Sequence, residues 1–328
     1  MALGQLVNGK WTANWTEHNE SGQFKRMPTQ FHNWITAEGS SKFLAEPGRY
    51  HLYVSLGCPW AHRTAVLWKL KGLEAVIDLS IVDPVISEQG WKFSNQPGCI
   101  PDSVYEADYL WQIYVQASPN YTGRVTVPVL WDKQTQTIVS NESRHIIQML
   151  NSAFNAFAAC PEANFYPESL RQQIEQIQDA IYQPINNGVY RSGFAASQPA
   201  YEQAVTELFA ALDSWEAVLE HQRYLCGDRI TLADWCLFPT LFRFDLSYHG
   251  IFKCNLKRLV DYPNLWNYLR DLYQQPGVKD VCRADHVQKL YYAGLPEINP
   301  SRVVPIVPAI DFELPHNRDR FDDVRQAA

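Results

Sequence analysis

Residues 50–82 constrain the fold of this chain more than any other segment. Residues 50–56 (YHLYVSL) are rich in β-forming side chains and predict a strand. Residues 59–71 (PWAHRTAVLWKLK) predict a helix, and their leading proline suits a first helical position, where the missing N–H costs nothing. Gly72 predicts the end of that helix, and residues 77–82 (IDLSIV) predict a second strand. The segment is therefore predicted to be a β-α-β unit.

The next part of the chain continues this pattern after an interruption. Residues 83–124 are rich in aromatic and turn-forming residues and predict a long insertion. Residues 127–131 (VPVLW) and 137–140 (TIVS) predict a hairpin, and a helix is expected from about residue 141 to residue 151. The order β-α-β, insertion, β-β-α is that of a thioredoxin-like domain.

Strand patterns stop near residue 168, and helical patterns dominate the second half. Helices are predicted over residues 168–190, 201–221, 232–248 and 264–275. Thr231-Leu-Ala-Asp234, preceded by Ile230, has the pattern of a capping box with a hydrophobic staple. We assign this motif to folding and predict an all-helical second domain.

A length of 328 residues favours two domains over one compact core. The fold class predicted is a thioredoxin-like α/β domain followed by an all-α domain. An N-terminal arm, the thioredoxin-like domain with its insertion, the helical domain and a C-terminal tail are expected at residues 1–47, 48–155, 166–293 and 294–328.

Composition and charge exclude several classes of function. The net charge of −7 gives no reason to expect nucleic acid or an anionic membrane as a partner. The sequence contains no run of about 18 apolar residues, so no membrane span is predicted. The first ten residues lack the apolar core of a signal peptide, so none is expected. The seven cysteines are widely spaced and contain no C-x-x-C pair, so neither a disulfide framework nor a zinc site is predicted. A cytoplasmic location with reduced thiols is consistent with these features.

Cys58 is the candidate reactive group. It follows a predicted strand and Gly57, and it lies where the helix begins. The exposed N–H groups and the dipole of a helix N-terminus favour a negative charge, so the pKa of this thiol is expected to lie below its ordinary value. Arg63 would either add to the positive field or face solvent. The alternative is a buried structural cysteine, but the strand-Gly-Cys-Pro-helix context favours a reactive thiol.

The fourth position of the motif C-P-W-A is Ala61, so no neighbouring thiol is available to resolve a disulfide formed on Cys58. An external thiol must then perform this step, and a small one such as glutathione is the obvious candidate.

Val127-Pro128 is a second candidate site segment. In thioredoxin-like folds a cis-proline opens the third strand beside the active cysteine, and the residue before it presents backbone groups to an extended peptide such as glutathione. The alternative is a trans-proline on an edge strand.

Residues 140–143 (SNES) form the third candidate segment because they open a predicted helix. The exposed N–H groups and the Ser143 hydroxyl would bind the γ-glutamyl carboxylate of glutathione, and Glu142 would pair with its ammonium group. A plain N-cap by Ser140 or Asn141 is the alternative, and both roles are compatible.

Taken together, these segments resemble the cytosolic glutathione transferases. Residues 50–64 (YHLYVSLGCPWAHRT) resemble the signature of one family among them, the glutathionyl-hydroquinone reductases of the Xi class. Further segments that fit this family are Gly90-Trp91, residues 123–132 (GRVTVPVLWD), 138–143 (IVSNES) and 186–190 (NNGVY), and Asp285-His286. The likeness covers nearly the whole chain, including the aromatic arm and the tail.

The resemblance implies a reaction. The cysteine thiolate attacks the sulfur of a glutathionyl-hydroquinone, the hydroquinone leaves, and a second glutathione resolves the mixed disulfide. It also implies glutathione as co-substrate, no metal, and a homodimer formed through the helical domain.

The resemblance also assigns residues. Those that match its glutathione-binding positions are Trp91, Arg124, Val127, Glu142 and Ser143, with Pro128 in the same segment. Arg124, a fixed fork of donors, would suit the glycyl carboxylate. Tyr190 and Tyr291 match the tyrosines of its hydroquinone pocket, where a phenol would hydrogen-bond or donate a proton. Without the resemblance each of them reads as a packing residue. Tyr292 leaves the register at Tyr291 open, and His286 is either a helper or structural.

Two other functions stay open at this stage. An omega-like thiol transferase or dehydroascorbate reductase would use the same cysteine on a different oxidised partner. A non-catalytic scaffold with this fold would not depend on the thiol at all. A conjugating transferase is disfavoured, because it needs a serine or tyrosine hydroxyl to stabilise the glutathione thiolate, whereas Cys58 would trap glutathione as a disulfide.

Overall fold

The computed structural model describes residues 4–13, 18–306 and 310–321. The chain divides into two compact units. Unit 1 is built from Met1–Thr16, Met27–Asn164 and Asp280–Pro305. Unit 2 is built from Glu17–Arg26, Phe165–Lys279 and Ile306–Ala328.

These units are divided differently from the predicted domains. Residues 280–293, predicted to be in the helical domain, belong to unit 1. Residues 17–26 of the predicted arm belong to unit 2, and residues 294–305 of the predicted tail belong to unit 1. Close packing explains the first difference. A Cβ atom built on Gly57 would lie 2.9 Å from the carbonyl oxygen of His286, so this segment lies directly against the loop before α1.

Short strands predominate in the first part of the chain, and helices predominate in the rest. The strands are β1 (Gln5–Val7), β2 (Lys10–Thr12), β3 (Ile35–Thr36), β4 (Phe43–Leu44), β5 (Tyr50–Val54), β6 (Asp78–Ile81), β7 (Gly123–Arg124), β8 (Val129–Asp132) and β9 (Thr137–Ser140). The α-helices are α1 (Pro59–Leu70), α2 (Leu110–Ala117), α3 (Ser143–Ser152), α4 (Arg171–Ile181), α5 (Gly188–Gly193), α6 (Gln198–His221), α7 (Leu232–Arg243), α8 (His249–Ile251), α9 (Pro263–Tyr273) and α10 (Ala284–Gln288). The π turns are Tyr182–Asn186, Phe244–Tyr248 and Lys289–Ala293, and the 3₁₀ turns are Glu168–Leu170, Leu259–Asp261, Val278–Val281 and Arg318–Phe321.

The central sheet of unit 1 has the strand order β6-β5-β8-β9. β5 pairs in parallel with β6 and antiparallel with β8, and β8 pairs antiparallel with β9. α1 connects β5 to β6 and packs against α3. The predicted thioredoxin-like order is confirmed, and every residue of β5 is buried, as expected of an inner strand. β5 ends at Val54, before the predicted end, because Cys58 N–H bonds Ser55 O at 3.2 Å in a turn.

The insertion contains α2, which was missed in the sequence. Its buried residues Leu110, Ile113 and Tyr114 have helical spacing, and this pattern was the available signal. The Gln112 side chain accepts the Tyr109 N–H at 2.8 Å and caps the helix. The Tyr114 hydroxyl donates to the Thr126 carbonyl at 2.8 Å, so α2 supports the chain just before Val127.

Residues 5–12 of the N-terminal arm form a small sheet with the insertion. β1 pairs antiparallel with β2 and with β7, and Gln5 lies opposite Arg124. Residues 1–3 and 14–17 of the predicted arm lie outside the described residues.

In unit 2, the first predicted helix is interrupted. The predicted helix at 168–190 is resolved into a 3₁₀ turn, α4, a π turn at Tyr182–Asn186 and α5. Pro184 lies in that π turn, where it lacks an N–H and cannot continue the regular ladder. The predicted helix at 232–248 likewise ends as α7, followed by a π turn at Phe244–Tyr248.

The capping box predicted at the start of α7 is confirmed. Asp234 is fully buried, and its carboxylate accepts the Thr231 N–H at 2.7 Å. It also accepts the Thr231 hydroxyl, the Leu225 N–H and the Tyr268 hydroxyl, each within 2.9 Å. Burial raises the pKa of Asp234, and these donors oppose that rise.

The described C-terminal residues 310–321 lie along unit 2. The Phe312 ring packs against Phe242, Trp266 and Tyr273, with ring centres 5.0 to 5.6 Å apart. Arg318 is fully buried and donates to the carbonyls of Gln222 and Arg223. Burial lowers the pKa of Arg318 to about 10. None of the helices in the described ranges is long and apolar enough to cross a bilayer.

We expect the stability of unit 1 to fall in mild acid because of His51 on β5. The Ser80 hydroxyl donates its proton to the Pro101 carbonyl, so His51 Nε2 must donate to Ser80 Oγ, 2.8 Å away. Nδ1 is buried with no hydrogen-bond partner among the described residues. Burial lowers the pKa of His51 to about 4, whereas the unfolded chain takes up this proton near the ordinary value of 6.5.

The imidazole stays neutral in the folded state, and its contribution is fully present above pH 6.5. As the pH falls from about 6.5 to 4, this group is protonated in the unfolded state but not in the folded state. The free energy of unfolding therefore falls progressively, by about 3 kcal/mol in total. Urea unfolding of wild type and His51→Gln at pH 7.5, 5.5 and 4.5 measures the effect. The free energies of unfolding should converge as the pH falls, and a constant difference between the two proteins would refute the assignment.

Candidate active site

Cys58 lies at the start of α1, as predicted. It is the residue before the helix, with φ −84° and ψ 125°, and Pro59 occupies the first helical position. The side chain is 8% exposed and forms no disulfide. A Cβ on Gly57 would lie 3.0 Å from the Leu290 side chain, so position 57, next to Cys58, fits a glycine best. The thiol is therefore held at the N-terminus of α1 in a shielded position.

The Val127–Pro128 peptide bond is cis, the first of the two alternatives raised by the sequence. The Cys58 sulfur lies 3.9 Å from the Val127 carbonyl oxygen. Tyr114 holds the preceding residue, because its hydroxyl also accepts the Thr126 N–H at 3.2 Å. The segment before β8 thus presents its backbone beside the thiol.

The start of α3 is capped differently from the prediction. Glu142 itself is the N-cap residue, and its carboxylate accepts the Arg144 N–H at 3.1 Å. The predicted caps have other partners. Ser140 Oγ accepts the Glu142 N–H, and Asn141 Oδ1 accepts the Phe31 N–H. Only Asn141 separates Glu142 from the end of β9, and the Glu142 backbone is still extended, with φ −101° and ψ 112°. Its second oxygen accepts the Thr29 hydroxyl at 3.1 Å.

Arg63 links the beginnings of α1 and α3. The side chain is buried rather than facing solvent, which settles the alternative left open by the sequence. Its Nη1 donates to Ser143 Oγ at 3.3 Å, and its guanidinium carbon lies 4.5 Å from the centre of the Trp60 ring. A positive charge and the first N–H groups of two helices therefore lie near Cys58 and Ser143, an arrangement that favours anions.

Trp91 and Arg124 lie on the insertion. Trp91 is buried, and its carbonyl accepts the Leu110 N–H at 2.9 Å. Arg124 is partly exposed on β7, where its carbonyl accepts the Tyr121 hydroxyl at 3.0 Å and its backbone pairs with Gln5. The arm and the insertion together thus fix the backbone that carries Arg124. Sequence reasoning had no signal for this pairing, since the two strands are short and distant in the chain.

Tyr291 lies in the π turn Lys289–Ala293 and is buried, whereas Tyr292 is partly exposed. The turn is in the segment that packs against Gly57, one residue from Cys58. Burial next to that loop favours Tyr291 over Tyr292 for the candidate role. His286 Nε2 lies 3.0 Å from the Pro97 carbonyl, and burial lowers the pKa of its imidazole. This arrangement is consistent with a structural role for His286.

Tyr190 lies in unit 2, on α5 just after a π turn. It packs within an aromatic cluster formed by Phe24, Phe194, Tyr248 and Phe252. The Arg26 guanidinium carbon lies 4.7 Å from the centre of the Tyr190 ring, and Arg26 Nε donates to Asn187 Oδ1 at 2.9 Å. A cation over an aromatic face stabilises the ring in one position. Arg26 was not singled out in the sequence, because it is far from the NNGVY segment along the chain.

Burial disfavours the thiolate at three of the other six cysteines. All seven thiols are free of disulfides. Burial raises the pKa of Cys226 to about 11 and raises the pKa values of Cys99 and Cys254. Within the described ranges, no three His, Cys, Asp or Glu side chains are grouped so that they could hold a metal ion.

Two family models match the chain. Residues 57–153 match the glutathione S-transferase N-terminal domain, and residues 198–271 match the glutathione S-transferase C-terminal domain. The first match contains Cys58, Pro128 and Ser143, and the second contains Asp234.

Curated relatives extend the match over nearly the whole chain. Glutathionyl-hydroquinone reductase YqjG of Escherichia coli is 46% identical, over 97% of this chain and 99% of that protein. Glutathionyl-hydroquinone reductase PcpF of Sphingobium chlorophenolicum is also 46% identical, over 94% of this chain and 97% of that protein. A glutathione S-transferase omega-like 2 of Schizosaccharomyces pombe is 40% identical, over 90% of this chain and 96% of that protein.

Solved structures agree in both fold and sequence. A Xi-class glutathione transferase from Natrialba magadii has a TM-score of 0.92 and 48% identity, with 97% of each chain covered. The glutathione-bound structure of YqjG from Escherichia coli has a TM-score of 0.89 and 45% identity, covering 96% of this chain and 99% of that one.

Proposed function

The chain belongs to the glutathionyl-hydroquinone reductases, the Xi class of the glutathione transferases, and from this we propose how its residues perform that reaction. The substrate is a hydroquinone with a glutathionyl group on its ring, and glutathione is the co-substrate. Cys58 is the nucleophile. The observation that carries the proposal is the position of its sulfur, at the start of α1 and 3.9 Å from the carbonyl of Val127.

In the first step, the Cys58 thiolate attacks the sulfur of the glutathionyl-hydroquinone. A sulfur–sulfur bond forms as the bond between that sulfur and the ring carbon breaks. The electron pair of the broken bond stays on the ring carbon, which takes up a proton, and hydroquinone leaves. We assign proton donation or hydrogen bonding at the ring to Tyr291 and Tyr190. The enzyme is left as a mixed disulfide between Cys58 and glutathione.

In the second step, the thiolate of another glutathione attacks the glutathionyl sulfur of the mixed disulfide. Oxidised glutathione forms, and Cys58 leaves as a thiolate. The two steps convert one glutathionyl-hydroquinone and one glutathione into hydroquinone and oxidised glutathione. Ala61 in the fourth position of the motif explains why the second thiol must come from solution.

Glutathione recognition is assigned to backbone groups and charges in unit 1. The backbone of Val127, before Pro128, pairs with the cysteinyl part of the peptide. The N–H groups at the start of α3 and the Ser143 hydroxyl, which Arg63 contacts, bind the γ-glutamyl carboxylate. Glu142 pairs with the ammonium group. Arg124 pairs with the glycyl carboxylate, and the Trp91 side chain packs on the peptide.

A single-turnover experiment tests the proposal. Wild type and Cys58→Ala are mixed with one equivalent of a glutathionyl-hydroquinone without free glutathione, and intact mass and released hydroquinone are measured. Wild type should gain one glutathione per hydroquinone released, and added glutathione should reverse the gain. An unmodified wild-type protein that releases no hydroquinone would refute the mechanism.

Glu142→Gln is expected to raise the KM for glutathione about tenfold, with little change in kcat at saturation. The amide keeps an oxygen for the Arg144 N–H, so the cap of α3 is retained, but the charge opposite the ammonium group is lost. Steady-state kinetics with varied glutathione measures the effect. Glu74→Gln, which removes a carboxylate paired with Lys69 on the surface, is the matched control. An unchanged KM in Glu142→Gln would remove Glu142 from the binding site.

Tyr291→Phe and Tyr190→Phe should each slow hydroquinone release about ten- to a hundredfold, because each removes a hydroxyl that acts on the departing ring. Resolution of the Cys58–glutathione disulfide should keep its rate, since no ring is present in that step. Stopped-flow measurement of the two half-reactions separates them, with Tyr292→Phe as the control. Equal slowing of both steps would indicate damage to packing instead of a role at the ring.

An omega-like thiol transferase activity is the second candidate, because some of the relatives are named omega-like. The same Cys58 exchange would then act on other glutathionyl disulfides. Comparing kcat/KM for a glutathionyl-hydroquinone and for a glutathionylated peptide distinguishes the two. A non-catalytic scaffold would release no hydroquinone, either as wild type or as Cys58→Ala.

We also propose that the enzyme is a homodimer in the cytoplasm. The family resemblance supports dimerisation, and the need for reduced glutathione and seven free thiols supports the location. Analytical ultracentrifugation tests the first point, with a monomer mass as the contrary result.

A further inference from the structure

A cavity of about 500 Å³ lies in unit 1, outside the site built around Cys58. Its wall is formed by residues 83–88 after β6, by Lys92, Gln96 and Pro97 farther along the insertion, and by Lys289 and Arg302. None of the residues assigned to glutathione, to the ring or to Cys58 lines it. The volume is in the range of small-molecule sites.

The wall of the cavity carries more positive than negative charge, although the net charge of the chain is −7. Its cationic residues are Lys92, Lys289 and Arg302, and its acidic residues are Asp83 and Glu88. The Asp83 carboxylate is already engaged. It accepts the Val85 N–H and the Ser94 hydroxyl at 2.8 Å and lies 4.0 Å from Lys92 Nζ. Glu88, by contrast, is exposed to solvent.

Two of the cations retain capacity to bind an anion. Lys289 Nζ lies 3.5 Å from Asp285, but that carboxylate already receives two hydrogen bonds from Arg283, at 2.8 and 2.9 Å. The Arg302 guanidinium has no hydrogen bond or ion pair with any residue the structure describes. Its five donors are therefore available.

Lys289 and Arg302 are held by connected backbone. The Arg302 N–H donates to the Asn299 carbonyl at 3.0 Å, and Asn299 Nδ2 donates to the Tyr292 carbonyl at 2.7 Å. Tyr292 belongs to the same π turn as Lys289. The backbone positions of Lys289 and Arg302 are thus connected through Asn299, and both side chains line the cavity. Pro84, Val85, Ile86 and Pro97 supply apolar surface.

We propose that this cavity is a binding site for a small aromatic acid, whose carboxylate pairs with Lys289 and Arg302 and whose ring packs on the prolines and aliphatic side chains. A fork of guanidinium donors beside an ammonium group matches a carboxylate. The volume is larger than an inorganic anion uses, which leaves room for an anion with an organic body. The site is independent of the proposed reaction.

Fluorine NMR tests the proposal directly. 4-Fluorobenzoate is titrated with wild-type protein in saturating glutathione, which fills the anion sites of the active centre. We expect saturable binding of 4-fluorobenzoate, with the neutral 4-fluorobenzyl alcohol binding at least about tenfold more weakly. The double variant Lys289→Met/Arg302→Met should raise the Kd for benzoate about tenfold. Lys10→Met, which removes an exposed lysine of unit 1 outside the cavity, should not change it.

Three results would overturn the proposal. Loss of binding when glutathione is added would place the benzoate in the active centre. An unchanged Kd in the double variant, or in Arg302→Met alone as the milder surface change, would remove the cations from the site. Competition by inorganic phosphate as strong as that by unlabelled benzoate would indicate a simple anion site in place of one for an aromatic acid.

Discussion

Cys58→Ser should reduce steady-state release of hydroquinone by at least about a thousandfold, because the reaction then loses its nucleophile. Cys58 is buried beside the segment packed on Gly57. Serine is close in size to cysteine, so it should fit at this position and the fold should be kept. A hydroxyl at that position cannot form the mixed disulfide. The loss should therefore appear in the first half-reaction and leave no adduct in the mass spectrum.

A second thiol provides the control for this experiment. Cys160 is partly exposed and is not assigned to the site, so Cys160→Ser should keep activity within about twofold of wild type. Glutathione binding to Cys58→Ser should also persist, since the contacts at Val127, Glu142 and Ser143 remain. Residual turnover above a few per cent in Cys58→Ser would mean that another group attacks the substrate.

Asp234→Ala should lower the free energy of unfolding by about 3–5 kcal/mol, the largest effect on stability that we expect. The fully buried carboxylate accepts donors from Leu225, Thr231 and Tyr268. Alanine leaves these donors without an acceptor in a place that water does not reach. The loss therefore includes both the capping of α7 and the desolvation of the partners.

Urea unfolding followed by tryptophan fluorescence measures this change, since Trp235 is buried in α7 next to Asp234. Asp261→Ala is the matched control. It removes an exposed carboxylate paired with Arg258, and should cost less than about 1 kcal/mol. A loss in Asp234→Ala no larger than in the control would show that the buried network contributes little to stability.

The parts of the fold that were predictable from the sequence are those fixed by local patterns. The β-α-β unit, the hairpin and the capping box each depend on residues close together in the chain. Cys58 could be recognised because a strand, a glycine and a helix-starting proline surround it. Val127-Pro128 gained its meaning from its place between the first β-α-β unit and the final β-α, again a matter of order along the chain.

Features that depend on contacts between distant segments were not predictable. Arg63 faces Ser143 because α1 packs on α3, and nothing near Arg63 in the sequence indicates this. Glu142 is the N-cap because only two residues separate β9 from α3, and Ser140 and Asn141 have other partners. Residues 280–293 carry a helical pattern, yet they belong with the thioredoxin-like part, since the pattern specifies a helix but not its neighbour.

Unit 1 is assembled from pieces of chain that lie before and after most of unit 2, and this order matters during translation. Cys58 leaves the ribosome before His286 and Leu290, whose atoms lie against the adjoining Gly57. At about 5–20 residues per second, more than about ten seconds separate the two. The nascent chain therefore carries Cys58, the proposed nucleophile, uncovered during that interval, and reductants in its surroundings, not the protein's own structure, must protect the thiol.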